Sequence, residues 1–393
     1  MSSSNLVALH YVRETEYNKT PDGVPFNTAR YTSEGLSGTP QVTQSEMIAG
    51  HRENNGQVVV GMDCGGPIAS EIAPSQQLED FISGALMRNT PSVPAMDLPI
   101  AADVTVGSES SMELASGDFL PGMFEAGQIV LLSGFVNESN NGAGYVTSYE
   151  TGTMILAKRG AVAETAAGAS VKRPAGYTVG TDKPSFTFEK KFNDLTDKAI
   201  DYTGMLVNSM TLAFAYGEIA TSDFGFMGAG YTVCPSGIPV TTGETINPAE
   251  TTQPLNASID IPGVIFNGED AGFCFQNLTI NLANGLTPSV CMGSITPHGY
   301  SLGSANVTVS ASSYLVNSNF YMVEEKLKQT PVAIAFSASN ADGGIAVSMP
   351  AVQLTFPDPS SQGRDQQVSL AIEGTAKYDQ AAGNSITIYV WKN

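Results

Sequence analysis

Charge is what this sequence has least of. Asp, Glu, Lys and Arg supply 14% of its 393 residues, against roughly a quarter in ordinary globular chains. Protein surfaces that neighbours cover are depleted in charge, so this scarcity suits a subunit enclosed by others. Basic residues are scarcer still. Against 38 acids stand 18 bases, giving a net charge of −20. The acids are spread along the chain without forming a run, so no solvated acidic tail accounts for them. Such a balance repels polyphosphate and excludes groove-type nucleic-acid binding.

Cysteine is sparse as well. Cys64, Cys234, Cys274 and Cys291 form no C-x-x-C pair and have no metal spacing. They are expected to be reduced and mostly buried, as small apolar residues. Only three histidines occur, His10, His51 and His298. They lie far apart in the sequence, outside any H-E-x-x-H pattern, and each is expected at the surface or in a loop. No apolar run approaches the roughly 18 residues of a membrane span. The first ten residues, MSSSNLVALH, lack the basic start and apolar stretch of a signal peptide. Synthesis and retention in the cytoplasm until assembly are therefore expected, with no membrane insertion.

Alternation of apolar and polar residues, by contrast, is abundant. Met210, Leu212, Phe214 and Tyr216 would share one strand face. Leu278, Ile280 and Leu282 would do the same, as would Val307, Val309 and Ala311. Towards the end come Ile345, Val347 and Met349; Val352, Leu354 and Phe356; Val368, Leu370 and Ile372; then Ile386, Ile388 and Val390. Glycine and proline punctuate these runs. The pattern predicts an all-β fold with one or two short helices, arranged as two packed antiparallel sheets in a sandwich or barrel.

The first helix should start at a Ser75 cap and bury Leu78, Phe81, Ile82, Ala85 and Leu86 at helical spacing. The second should run over 318–329, bury Phe320, Val323 and Leu327, and carry a Glu324–Lys328 pair. Both stripes are read as packing faces against a sheet. Residues 93–180 differ in texture. A proline-rich joint at Pro91, Pro94 and Pro99 precedes compact apolar segments around Asn140-Asn-Gly142. They predict a small inserted β domain, with 1–92 and 181–393 as the two parts of the main one. A second soft stretch, 235–254, is rich in Thr, Gly and Pro and reads as an exposed loop or arm.

The residues offer no catalytic site, cofactor site or metal site. A G-x-S-x-G match at Gly299–Gly303 places Ser301 beside His298, but a strand-like run follows it where a hydrolase elbow needs a helix. A hairpin is expected there. The glycines of Gly225–Gly230 fit no dinucleotide fingerprint and suit close backbone packing.

Several phrases, in order, resemble the tail tube proteins of long-tailed bacteriophages. YVRET at 11–15, Thr20-Pro21 and ARYTSEGL at 29–36 resemble the opening of that family. TQSE at 43–46 resembles its long hairpin. SFTFEK at 185–190 resembles its centre, continuing through YTGM at 202–205, Val207-Asn208 and GEI at 217–219 to FGFMG at 224–228. LTINLANGL at 278–286 followed by Gly293-Ser294 fits too. The likeness covers most of 5–92 and 181–393. GQIVLLSGF at 127–135, with Asn137 and Asn140-Asn-Gly142, is similar to a small β module that recurs in phage tail proteins. One departure is Cys64-Gly-Gly66, where turn residues stand in place of a continuous strand.

The resemblance implies a structural, non-enzymatic subunit. Copies would close hexameric rings through one shared barrel of strands and stack into a tube. The genome would pass along an acidic lumen without specific binding during ejection. Implied partners are further copies of itself, a tape-measure protein, a tail terminator and tail-tip proteins. The implied location is the virion tail. Segments 38–57 and 235–254 are the candidate ring-to-ring contacts. Glu34, Glu46 and Glu53, which flank the candidate hairpin, are the candidate lumen or inter-ring positions. The inserted domain would sit outside the wall. The competing readings are another self-assembling virion or surface β protein, such as a decoration or adhesin-like protein, and a hydrolase resting on Ser301.

Overall fold

The computed structural model describes residues 3–48, 50–100, 104–106, 112–158, 160–196, 198–234, 241, 244–261, 263–359, 363–364 and 366–393. Among the described residues the fold is all-β with two α-helices. Nineteen strands form one extended, mainly antiparallel sheet system, and eight more, from Met96–Pro99 to Ser170–Arg173, form a second sheet. No closed barrel forms among the described residues.

One long strand, Ala199–Ala215, organises the large system. Its first half pairs with Phe186–Phe192 and Gly230–Cys234; its second half pairs with Thr221–Gly228 and Phe275–Ala283. The strand therefore leaves one sheet and enters another. Register shifts on the two sides of the turning point, between Phe186 and Phe188 and between Val207 and Ser209, mark bulges of the kind that let strands switch sheets. Gly204 sits at the corner with φ +67, a conformation that favours glycine. Its N–H is held by the buried Glu14 carboxylate at 2.8 Å, which also accepts from Ser185 Oγ, Thr187 Oγ1 and the Asn18 N–H.

The core lies between these sheets and the first helix, Gln76–Ala85. Ser75 caps that helix as expected, its Oγ accepting from Leu78 N at 3.2 Å. Every residue of the anticipated stripe is buried. Phe81 is the hub. Its ring centroid lies 5.2–5.9 Å from those of Tyr11, Phe186, Phe188, Phe224 and Phe226, within the range of favourable aromatic pairs. The alternating runs at 278–282, 307–311, 345–349, 352–356 and 386–390 are buried as read, while Val368 is half-buried at the start of its run.

Four expectations need correction. Tyr216 lies past the end of its strand and is 78% exposed. The second helix is shorter, Tyr321–Lys328, and turns Met322 inward, leaving Phe320 and Leu327 exposed and Val323 half-buried. Its apolar residues allow more than one inward face, and packing selects Met322; the Glu324–Lys328 pair forms at 3.1 Å. His10 is buried within the strand Val7–Arg13. Of the four free cysteines, Cys64 and Cys234 are buried, but Cys274 and Cys291 are exposed.

The eight-stranded sheet has its own apolar cluster, including Met112, Leu114, Phe119, Val130, Val146 and Leu156. The chain leaves and rejoins the large system at adjacent points, Val93 and Gly176, which exchange two backbone hydrogen bonds. A second contact is apolar: Ile129, Tyr145 and Ala157 pack on Ala335, Ala346 and Tyr389. Asn140 is buried and bonds both backbone groups of Val162, fixing the turn before Gly142.

Truncating Phe81→Ala is expected to lower unfolding free energy by about 3–5 kcal/mol, whereas the exposed Leu327→Ala should change it by less than about 0.5 kcal/mol; urea denaturation of the two variants measures both.

Candidate functional site

The feature that stands apart from the packed body is an arm. Ser37–Gln44 and Gln57–Glu71 pair as an antiparallel ribbon with a bulge between Gln41 and Val42. From Cys64 to Glu71 the second strand also pairs with Thr221–Gly228. Beyond Met62, whose N–H bonds the Ile295 carbonyl, support from the body ends, and the two strands project alone for about 15 Å at the usual rise per residue.

Glycines allow the arm to be rooted. A Cβ at Gly66 would stand 2.1 Å from the Gly35 carbonyl oxygen, and one at Gly38 would stand 2.3 Å from the Tyr231 ring. The Cys64-Gly-Gly66 segment is thus part of one unbroken strand, and its glycines serve close approach, not a turn. Burial pushes the Cys64 thiol up to about 12, and it donates to the Gly230 carbonyl at 3.1 Å. Alongside the root lies the segment 288–297. It is joined by a Met62 N–H to Ile295 carbonyl bond of 2.8 Å, and it exposes Val290 and Met292.

The arm's surface is unusual for one bathed in water. Val42, Val58, Val59 and Val60 are each about half exposed, and Met47 and Ile48 are more so, at 74% and 101%. Val58 and Val59 point to opposite faces, and Val60 is the extra residue at the bulge, between Val59 opposite Val42 and Gly61 opposite Gln41. The tip is shaped by its own polar contacts: Ser45 N–H to Gly56 carbonyl, Gly56 N–H to Asn54 Oδ1, and Asn55 to the Met47 carbonyl.

The three glutamates singled out from sequence do not form one group. Glu46 and Glu53 are exposed on the arm. Glu34 is at the root, nearly buried, and paired with Lys190; it also accepts the Leu36 N–H at 3.1 Å. Its carboxylate serves the fold locally. The missed feature is the apolar content of the arm, which the run QVVVG at 57–61 signals directly.

The other candidates resolve simply. Ser301 is exposed at the end of the strand Gly299–Ser301, which pairs with Thr287–Ser289; the next element is another strand, Asn306–Tyr314. A hydrolase elbow is therefore absent. At Gly228 and Gly230 a Cβ would meet Met205 and Thr203 within about 2 Å, so close packing explains those glycines. Of the soft stretch 235–254, residues 235–240 and 242–243 lie outside the described residues. No helix among the described residues is long and apolar enough to cross a membrane, and no group of three or more potential metal ligands is found among them.

A family model described as phage tail tube protein matches residues 4–376. The chain belongs to that family. No curated protein matches it. Membership makes this tail tube protein a structural subunit of a phage virion tail, which assembles with other copies into a tube.

Proposed function

We propose that this tail tube protein closes hexameric rings, that the rings stack through the arm, and that the acidic bore conducts the genome during ejection. The observation that carries the reading is the projecting arm. A lone two-stranded ribbon is marginal in water, and one with valines on both faces invites a covering partner. A further copy is the natural one in a tube. The strand Ser37–Gln44 pairs on one side only among the described residues, so its free edge can extend a neighbour's sheet. A contact between unlike surfaces propagates along an axis, and a second that closes makes a ring.

A ring of six would carry roughly −120 before counterions, a field that repels a DNA backbone and lets it slide. Glu46 and Glu53 are proposed to face the bore or the ring junction. The proposed partners at the tube's ends and interior are a tail terminator, tail-tip proteins and a tape-measure protein. A non-enzymatic role is supported by the strand context of Ser301. The segment 93–180 is proposed as an inserted domain on the outer wall, because it hangs from adjacent entry and exit points and a bulky inward domain would block the channel.

Three measurements test this. Val58→Asp with Val60→Asp should leave a folded monomer by circular dichroism but abolish tubes in negative-stain micrographs; tubes of normal length would sink the arm's role. A reconstruction of wild-type tubes with Glu46 and Glu53 on the outer wall would overturn their assignment. Deleting 96–173 should leave tubes intact once the uncovered Tyr389 and Trp391 are replaced by polar residues. Loss of rings in that variant would make the segment part of the assembly contact.

A further inference from the structure

The arm leaves the body at one end of a ladder of strands. Gln57–Glu71, Thr221–Gly228, Ala199–Ala215, Phe275–Ala283 and Asn306–Tyr314 lie side by side in antiparallel pairs. Cys64 pairs with Gly228 at the arm's end of the ladder. Glu71 pairs with Thr221 at the far end, about 23 Å away at the usual rise per residue. Also at the far end, Ala215 pairs with Asn277, and Phe275 with Ser313.

That far end carries an apolar groove of about 690 Å³, whose lining includes Tyr216, Phe273, Cys274, Phe275 and Tyr314. The rings of Phe273 and Phe275 lie 5.0 Å apart, and both residues are half-buried. Tyr216 is 78% exposed and Tyr314 41%. The turn that presents Tyr216 is firmly held: the Tyr216 N–H donates to the Gln276 carbonyl at 2.9 Å, and the Gly217 N–H donates to Ser258 Oγ at 2.7 Å. Aromatic rings gathered around an open groove are costly to leave in water and mark a contact surface.

The arm presents the complementary surface. Met47 and Ile48 are its most exposed large apolar residues, and an unbranched thioether packs favourably against aromatic rings. Between Ser37 and Asp63 the only Lys or Arg is Arg52, which is exposed. At the groove, Glu218 is exposed in the turn that follows Tyr216. Arm and groove lie at opposite ends of one ladder, so a chain cannot fill its own groove. A second copy can, and a contact between unlike ends repeats along an axis. The other large groove, which Val290 and Met292 help to line, flanks the arm's root. It opens at the same end as the arm and cannot receive one in a head-to-tail stack.

We propose that the far-end groove is the socket for the arm of the next copy. Met47 and Ile48 enter among the rings of Tyr216, Phe273, Phe275 and Tyr314, with Arg52 set against Glu218 at the rim. This rests on the stacking of rings through the arm and names the surface that the arm engages.

The exposed thiols of Cys274 in the socket and Cys291 beside the arm's root make the test direct. Assembled tubes of Ile48→Cys are treated with a short bismaleimide and resolved by denaturing electrophoresis. A covalent dimer absent from treated wild-type tubes is expected, and Cys274→Ser in the same chain should abolish it while Cys291→Ser should not. Met47→Cys takes its place should Ile48→Cys not form tubes. Intact tubes with no such dimer overturn the socket, and so does a dimer that survives Cys274→Ser. Tyr216→Asp with Tyr314→Asp should abolish tubes while leaving a folded monomer by circular dichroism. Tubes from that variant overturn the socket alone, whereas tubes from Val58→Asp with Val60→Asp overturn stacking through the arm itself.

Discussion

The sharing of one strand between two sheets is the constraint on which the rest of the fold hangs. Ala199–Ala215 has hydrogen-bonded neighbours on both sides along most of its length, but they change halfway. The change needs a residue that tolerates positive φ and a partner for the backbone N–H that the bend frees from the ladder. Gly204 supplies the first and Glu14 the second. Because the same carboxylate binds Ser185, Thr187 and Asn18, the bend also ties in the N-terminal strand and its turn. The aromatic cluster around Phe81 then fills the angle between the two sheets, drawing rings from both sides of the corner.

This arrangement separates two kinds of surface. Inside the angle, burial is apolar and dense. Behind the sheet of Val7–Arg13, Phe186–Phe192 and the first half of Ala199–Ala215, burial is polar, and Glu14, Glu189 and Asp201 line one face. The arm belongs to neither. It grows out of the corner region through a strand that is part wall and part projection, with glycines where the backbones come closest. The proposed assembly contact and the fold therefore draw on the same strand, Gln57–Glu71, at its two ends.

Much of the fold was legible in the sequence, because strands with one face on a core must alternate. Leu278, Ile280 and Leu282 are buried for the same reason that they were conspicuous. So was the first helix, where cap, stripe and stop agree. The second helix was not. Its apolar residues allow more than one inward face, and contact with the sheet selects Met322. Tyr216 continued a period that the chain had already ended with a turn. His10 looked like a surface residue, since nothing local records that a distant segment lies over it. The arm was legible as a hairpin by resemblance, but the sequence did not show that Glu34 lies at its root, apart from Glu46 and Glu53. Its partner Lys190 is remote in sequence, and such pairings leave no local trace.

The two backbone bonds between Val93 and Gly176 have a wider consequence. Chain ends that already meet form a closed staple, so whatever lies between them adds little closure entropy to the body. Beyond that staple the body meets the segment at the apolar patch of Ala335, Ala346 and Tyr389, so only the residues on that patch are constrained by it. The position is thus a natural graft point, where the length of chain between the two ends can change at little entropic cost to the large sheet system.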